Sequence, residues 1–188
     1  SDAGLAVVPR GGGTRIGVGN IPAKYDVTLD LTGLTAQLEH VAGDMTVIVD
    51  GGVRVGDLNA ELAQEGQRLP FEVRDPARAT IGGSVASNAP GRRQSSTGGI
   101  RDWVLGMQIV LADGTVTKSG GRVVKNVQGY DLHRLHTGAY GTLGVIAQAA
   151  FKLAPVPPAQ QTIAAWFDDV RSANEVGLQL VDGLFAPE

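Results

Sequence analysis

The residues best placed to do chemistry in this 188-residue chain are three successive glycines, Gly11, Gly12 and Gly13, between Arg10 and Arg15 in the run PRGGGTRIG. Glycine reaches positive φ at no steric cost, so consecutive N–H groups can turn into one concavity and hold an anion. The flanking guanidiniums add charge. Three glycines by themselves serve a tight turn equally well. The pattern does exclude two familiar phosphate loops. A Walker-type loop requires Lys followed by Ser or Thr after its last glycine, whereas here Ile16 precedes Gly17 and Val18 follows it. A Rossmann loop opens a long amphipathic helix, and the stretch Val18-Gly19-Asn20-Ile21-Pro22 cannot begin one. The loop suits a pyrophosphate held by backbone N–H groups without a helix dipole.

Other reactive side chains are sparse. His133 and His136 lie three apart on an expected helical turn and could face a metal together, but no third ligand is near. A packed or solvated pair and no metal site are expected, with His40 on the surface. Asp168 and Asp169 read as helix-capping residues. Lys125, Arg92, Arg93 and Arg101 can steer an acidic substrate, although ordinary surface charge accounts for at least two of them. Trp103 and Trp166 are expected in cores, and Tyr130 is the aromatic weighted most towards function. No Ser-His-Asp or Cys-His arrangement supports hydrolysis. The chain has no cysteine, which excludes disulfides, thiolate metal sites, iron–sulfur ligation and a cysteinyl cofactor bond within it. A net charge of −3 gives no basic field, so nucleic acid is not an expected partner.

The elements that must position these residues follow from periodicity. An apolar strand at Leu5 to Val8 feeds the glycine loop. Leu34, Leu38 and Val41 recur at helical spacing, and Thr46 to Val49 is a β-branched strand. A helix is predicted from about Asp57 to Glu65, with Asp57 as N-cap, Leu58 and Leu62 buried, and Gly66 at its C-terminal cap. Ile100 to Lys118 reads as a hairpin turning at Asp113-Gly114, a pair suited to a type I′ turn. A short helix near Asp131 to His136 and a strand from Val145 to Leu153 follow. Beyond the stiff Pro155, Pro157 and Pro158, Thr162 to Phe167 reads as a strand and Asp168 to about Leu184 as an amphipathic helix. Val170, Ala173, Val176, Leu180 and Leu184 form its stripe. No apolar run approaches the roughly 18 residues of a membrane span. Glycine, 27 of 188 residues, is about twice its usual share, which fits a loop-rich α/β or α+β protein that binds through its backbone.

Two further segments join the first. ATIGGSVASNAPG at 79–91 offers paired glycines, hydroxyls and an amide. KNVQGYDLHRLHTGAYGTLGVI at 125–146 sets Gly129-Tyr130-Asp131-Leu132 before Gly141-Thr142-Leu143-Gly144. With VLADGTV, GGRVVKNVQGYDL and GTLGVI as the most specific phrases, residues 5–157 resemble the FAD-binding domain of the vanillyl-alcohol oxidase and p-cresol methylhydroxylase (PCMH-type) superfamily. Within it the chain resembles the FAD-binding subunit of glycolate oxidase and the FAD-linked D-2-hydroxyacid dehydrogenases. The resemblance implies an α+β fold of two subdomains with FAD between them, over residues 1–157, followed at 158–188 by the opening of a cap domain. Both ends are expected to be incomplete.

By resemblance, Arg10, Gly11, Gly12, Gly13, Thr14, Arg15 and Gly17 wrap the FAD pyrophosphate. Pro76, Thr80, Ile81, Gly82 and Gly83 run along the pyrophosphate and ribityl chain. Ser87, Asn88 and Gly91 lie near the isoalloxazine, and Val145 and Ile146 touch the cofactor through backbone groups. Gly129, Tyr130 and Asp131 brace that region. Flavin-linking relatives carry a histidine where this chain has Thr14, so FAD is expected to be non-covalent. Pro90 replaces a frequent second glycine and removes a backbone donor. The implied activity is hydride transfer from a small 2-hydroxyacid such as glycolate to the flavin, with the catalytic groups on the cap and none assigned here. The implied partners are a paralogous flavoprotein and an iron–sulfur protein of the same complex. The implied location is the cytoplasm, with peripheral attachment at the inner membrane through those partners. Two rival readings stay open: a non-catalytic FAD-carrying component of a complex, and a cell-wall reductase of this fold, UDP-N-acetylenolpyruvoylglucosamine reductase, which uses NADPH.

Overall fold

The computed structural model describes residues 4–121 and 131–181. The first two strands, β1 (Val7–Arg10) and β2 (Val27–Asp30), form a small parallel pair of their own, with Val7 opposite Val27 and Arg10 opposite Asp30. The chain then enters a larger unit with β3 (Leu38–Val41), β4 (Thr46–Asp50), α1 (Val55–Ala63) and β5 (Gln67–Arg68). It continues through α2 (Ile81–Ser87), α3 (Gln94–Thr97), β6 (Val104–Val110), β7 (Val116–Gly120), α4 (Leu132–His136) and β8 (Val145–Lys152). A two-residue strand β9 (Ala154–Pro155) pairs with β5, and α5 (Val170–Val181) closes the described residues.

The larger unit is a five-stranded antiparallel sheet in the order β3-β4-β8-β6-β7. Its centre is apolar because β4 is rich in β-branched residues and β8 buries Ile146, Ala149, Ala150 and Phe151. Val47, Val49, Ala149 and Phe151 are at most 1% exposed. Against them pack Leu58 and Leu62 from α1 and Ile81 and Val85 from α2. Phe71 and Phe151 meet with ring centroids 5.6 Å apart. The helix α2 lies close on the sheet only because of two glycines. A Cβ at Gly82 would sit 3.0 Å from the Ile146 carbonyl oxygen, and one at Gly51 would sit 2.4 Å from the same atom.

The structure departs from periodicity in several places. Leu38 and Val41 belong to β3 and not to a helical turn, because pairing with β4 satisfies their backbone groups and a short isolated helix has no comparable partner. Helix α1 starts two residues earlier than expected: Arg54 is its N-cap and Asp57 lies in its first turn. Gly66 does end that region, at φ +66°, with its N–H on the Ala63 carbonyl. The β6–β7 loop is a longer connection and not type I′. Only Gly114 in it takes positive φ, and its N–H donates to Leu111. Thr162 to Phe167 forms no strand, and Trp166 is 88% exposed and so packs in no core among the described residues.

Strand β1 is not of the buried type, with Val7 52% exposed. His40 is half-buried on Gln67 Oε1 at 2.9 Å, and so is not a surface residue. Trp103 packs against the core as expected, with its indole N–H on the Thr97 carbonyl and the Lys152 ammonium 4.5 Å above its ring. Asp169 caps α5, accepting from the Ser172 N–H and hydroxyl. Lys125, Gly129, Tyr130 and Leu184 lie outside the described residues. Among those described, no helix is long and apolar enough to cross a membrane.

Candidate functional site

The glycine loop leaves β1 and is pressed onto the segment that opens α2. A Cβ on Gly11 would lie 2.1 Å from Thr80 Oγ1, and one on Gly12 would lie 1.7 Å from the Arg78 carbonyl oxygen. Both contacts are far inside van der Waals distance, so only glycine permits this approach. Gly13 takes φ +70° and turns the chain. The consequence is chemical. Among the described residues, the N–H groups of Gly11, Gly12, Gly13, Thr14 and Arg15 donate to no protein acceptor, while those of Ile16 and Val18 close turns on Gly13 and Arg15. Five adjacent donors are left unpaired on a half-buried loop that abuts Thr80 and Arg78. Such a nest attracts anions.

The surroundings extend that cradle in two directions. A pocket of about 210 Å³ is lined by Arg10 to Ile16 together with Thr80, Gly83, Ser87 and Tyr140. Beside it, a slot of about 50 Å³ is bounded by Gly11, Gly82, Gly83, Tyr140, Val145 and Ile146. On the other side Arg15 also lines an open cleft of about 830 Å³, whose walls include Pro76, Pro90 and Gly91. The fold thus brings together most residues singled out in the sequence. Three stand apart from these cavities. Ile81 is fully buried in the core, Gly17 faces open space, and Asn88 adopts a left-handed conformation that ends α2.

The N–H groups of residues 81–83 are already used. The N–H of Ile81 donates to Val53, that of Gly82 to Gly51, and that of Gly83 to Thr80 Oγ1. Among the described residues, only Thr80 in this stretch keeps an N–H and a hydroxyl proton without a protein acceptor, beside the unpaired donors of the glycine loop. Tyr140 is a site residue without a motif to mark it, unlike Tyr130 in its Gly-Tyr-Asp-Leu run. It has φ +52°, its N–H donates to Ala86, and it lines both the pocket and the slot. The one sequence signal is its setting between Gly138 and Gly141, which turn the chain back across α2; a Cβ at Gly141 would lie 2.7 Å from Pro9.

Charge at the back of the loop is ordered. Asp30 accepts from the N–H and hydroxyl of Thr32, and these bonds, with the nearby Arg10 guanidinium, hold its carboxyl below the ordinary range. His133 and His136 are buried packing residues, as the sequence suggested for a pair without a third ligand. Ser119 Oγ accepts the His133 N–H at 3.0 Å and shares a second hydrogen bond with its Nδ1 at 3.3 Å, whose direction follows the imidazole tautomer. His136 Nδ1 is buried with no hydrogen-bond partner among the described residues. Burial pushes both imidazoles below their ordinary pKa.

Comparison with known proteins places the chain in one family. The model of the FAD binding domain family matches residues 1–120. The glycolate oxidase subunit GlcD of Bacillus subtilis is 32% identical over 187 residues, which is 100% of this chain and 40% of that protein. The glycolate oxidase subunit GlcE of Escherichia coli is 36% identical over 137 residues, or 72% of this chain and 39% of its own length. The D-2-hydroxyglutarate dehydrogenase of Xanthomonas citri is 33% identical over 154 residues, 82% of this chain and 33% of that protein. The chain thus spans two fifths or less of these relatives. Among solved structures, alkyldihydroxyacetonephosphate synthase superposes with a TM-score of 0.68 over 82% of this chain and 28% of its own, at 24% identity, a likeness of fold.

Proposed function

The chain belongs to the FAD binding domain family, and from that premise we propose that it is the FAD-holding part of an oxidoreductase acting on small 2-hydroxyacids, as glycolate oxidase does. The observation that carries the reading is the set of five unpaired N–H donors at Gly11 to Arg15, on a loop whose glycines abut Arg78 and Thr80. The donor set fits a pyrophosphate. Those five groups share its charge, Arg10 and Arg15 add two guanidiniums, and Gly82, Gly83, Val145 and Ile146 bound a slot where planar groups meet backbone. FAD, when bound, supplies the acceptor for the hydride that leaves the hydroxyacid α-carbon. This chain's own part is to bind and orient.

Thr14 offers no imidazole for a flavin bond, so the cofactor is held without a covalent link. In this reading residues 1–157 form the FAD domain and residues 158–188 begin the cap that carries the substrate clamp and base. A paralogous flavoprotein and an iron–sulfur protein are its partners, and it works in the cytoplasm, docked at the inner membrane through them. The test is visible absorbance of the purified protein, before and after acid precipitation and during titration with FAD. Saturable FAD uptake with quenched fluorescence, fully released by acid, is expected. A protein that ignores FAD, with the same result in a version extended to the relatives' length, refutes the reading. Anaerobic addition of glycolate to the extended protein then tests the substrate, with flavin bleaching as the expected result.

A further inference from the structure

The 830 Å³ cleft next to the glycine loop is lined by five guanidiniums, Arg15, Arg68, Arg74, Arg92 and Arg93, against two carboxylates, Glu72 and Asp75. In a chain of net charge −3, that is a local reversal of sign. The carboxylates are already answered. Arg93 Nε pairs with Glu72 at 3.2 Å, and Asp75 lies 3.7 Å from Arg78, which belongs to the rear of the loop. Arg68 leans on the Pro155 carbonyl at 3.4 Å, and Arg15 flanks the proposed pyrophosphate. Among the described residues, the Arg74 and Arg92 side chains have neither ion pair nor hydrogen bond in the protein. They share one cleft with an apolar wall of Leu69, Phe71 and Val73.

A guanidinium is a planar fork that takes a carboxylate through two parallel N–H bonds. A single-carboxylate hydroxyacid satisfies one such fork. We propose that Arg74 and Arg92 form an anion-recognition pair on the FAD-binding domain itself, and that the hydroxyacid selected carries a second negative group, as a dicarboxylate does. The inference rests on the flavin-site reading above, because it places the cleft beside the reacting end of the cofactor. The cleft has volume to spare for a substrate longer than glycolate.

The test is calorimetric titration of the FAD-loaded protein with D-2-hydroxyglutarate as a dianionic probe and glycolate as a monoanionic one. Wild type is expected to bind the dianion at least about tenfold more tightly. The double variant Arg74→Gln with Arg92→Gln is expected to lose that preference, while Arg171→Gln, exposed on α5 and outside the cleft, keeps it. FAD uptake, followed by fluorescence quenching, should be equal in wild type and both variants. Equal affinity for the two probes in wild type, or a preference that survives in the double variant, overturns the proposal. Repeating the titrations without FAD separates the two readings: no flavin uptake by this chain or by its extended version defeats the flavin reading, while the probe preference still reports on the arginines.

Discussion

The antiparallel sheet and the parallel pair β1–β2 are built on opposite principles. In the sheet, β8 is flanked on both sides, and Val49, Ala149, Phe151 and Leu58 lose all contact with solvent. The smaller pair has no third strand among the described residues, and Leu5, Val7, Val27 and Leu29 are each 40% exposed or more. The run of uncommitted donors belongs to the smaller pair's loop, while the larger unit supplies the surface that fixes it. A binding loop must leave hydrogen bonds unmade, so it comes from the weakly held end of the molecule and borrows rigidity from the strong end.

The contrast can be broken most forcefully in the sheet. Phe151→Ala removes a ring packed against Phe71 and is expected to cost about 3–5 kcal/mol of stability; chemical denaturation reads the loss, and a cost below about 1 kcal/mol would refute the division. The complementary change is Gly12→Ala, whose Cβ would strike the Arg78 carbonyl. The loop must lift off, so FAD affinity should fall at least about tenfold, or about 1.4 kcal/mol, with the denaturation midpoint almost unmoved. Fluorescence titration beside a melt distinguishes this from general unfolding.

Acid should act through the larger unit. His133 and His136 bind protons less readily folded than unfolded, so the unfolded state takes up more protons as pH falls below the ordinary histidine value of 6.5. Their contribution to stability is therefore complete above that value and is lost as pH drops towards the folded pKa values. Melting temperature should decline below pH 6.5 in wild type and less steeply in His136→Gln. Equal slopes would remove the histidines from the account. The smallest effect is expected at Asp169→Ala, which removes the cap of α5 and costs that helix about 1 kcal/mol. Helical circular dichroism should drop slightly while the main transition stays in place, because α5 is peripheral to the sheet.

Much of this was legible in the residues. The glycine run, the arginines beside it, the β-branched Thr46 to Val49 and the buried Leu58 and Leu62 state local requirements, and local requirements survive folding. Misreadings fell where pairing partners decide the outcome. Leu38 and Val41 have helical spacing but meet β4 across a ladder, and Thr162 to Phe167 has strand composition but no neighbour to bond among the described residues. Trp166 is a large apolar residue without a core to enter there. Of the site residues, Ile81 looked like part of a binding segment, yet its side chain faces the interior and its N–H is spent on Val53.

By itself the sequence determined that a bare, charged loop would follow a short strand and that no cysteine chemistry was possible, because those facts depend only on residue type and order. The tertiary structure alone decided which donors stay free. It placed Arg78 and Thr80 behind the loop, set Tyr140 across α2, and gathered Arg74 and Arg92 into one cleft. Hydrogen-bond satisfaction and close approach are properties of neighbours in space, and segments distant along the chain become neighbours only when it has folded.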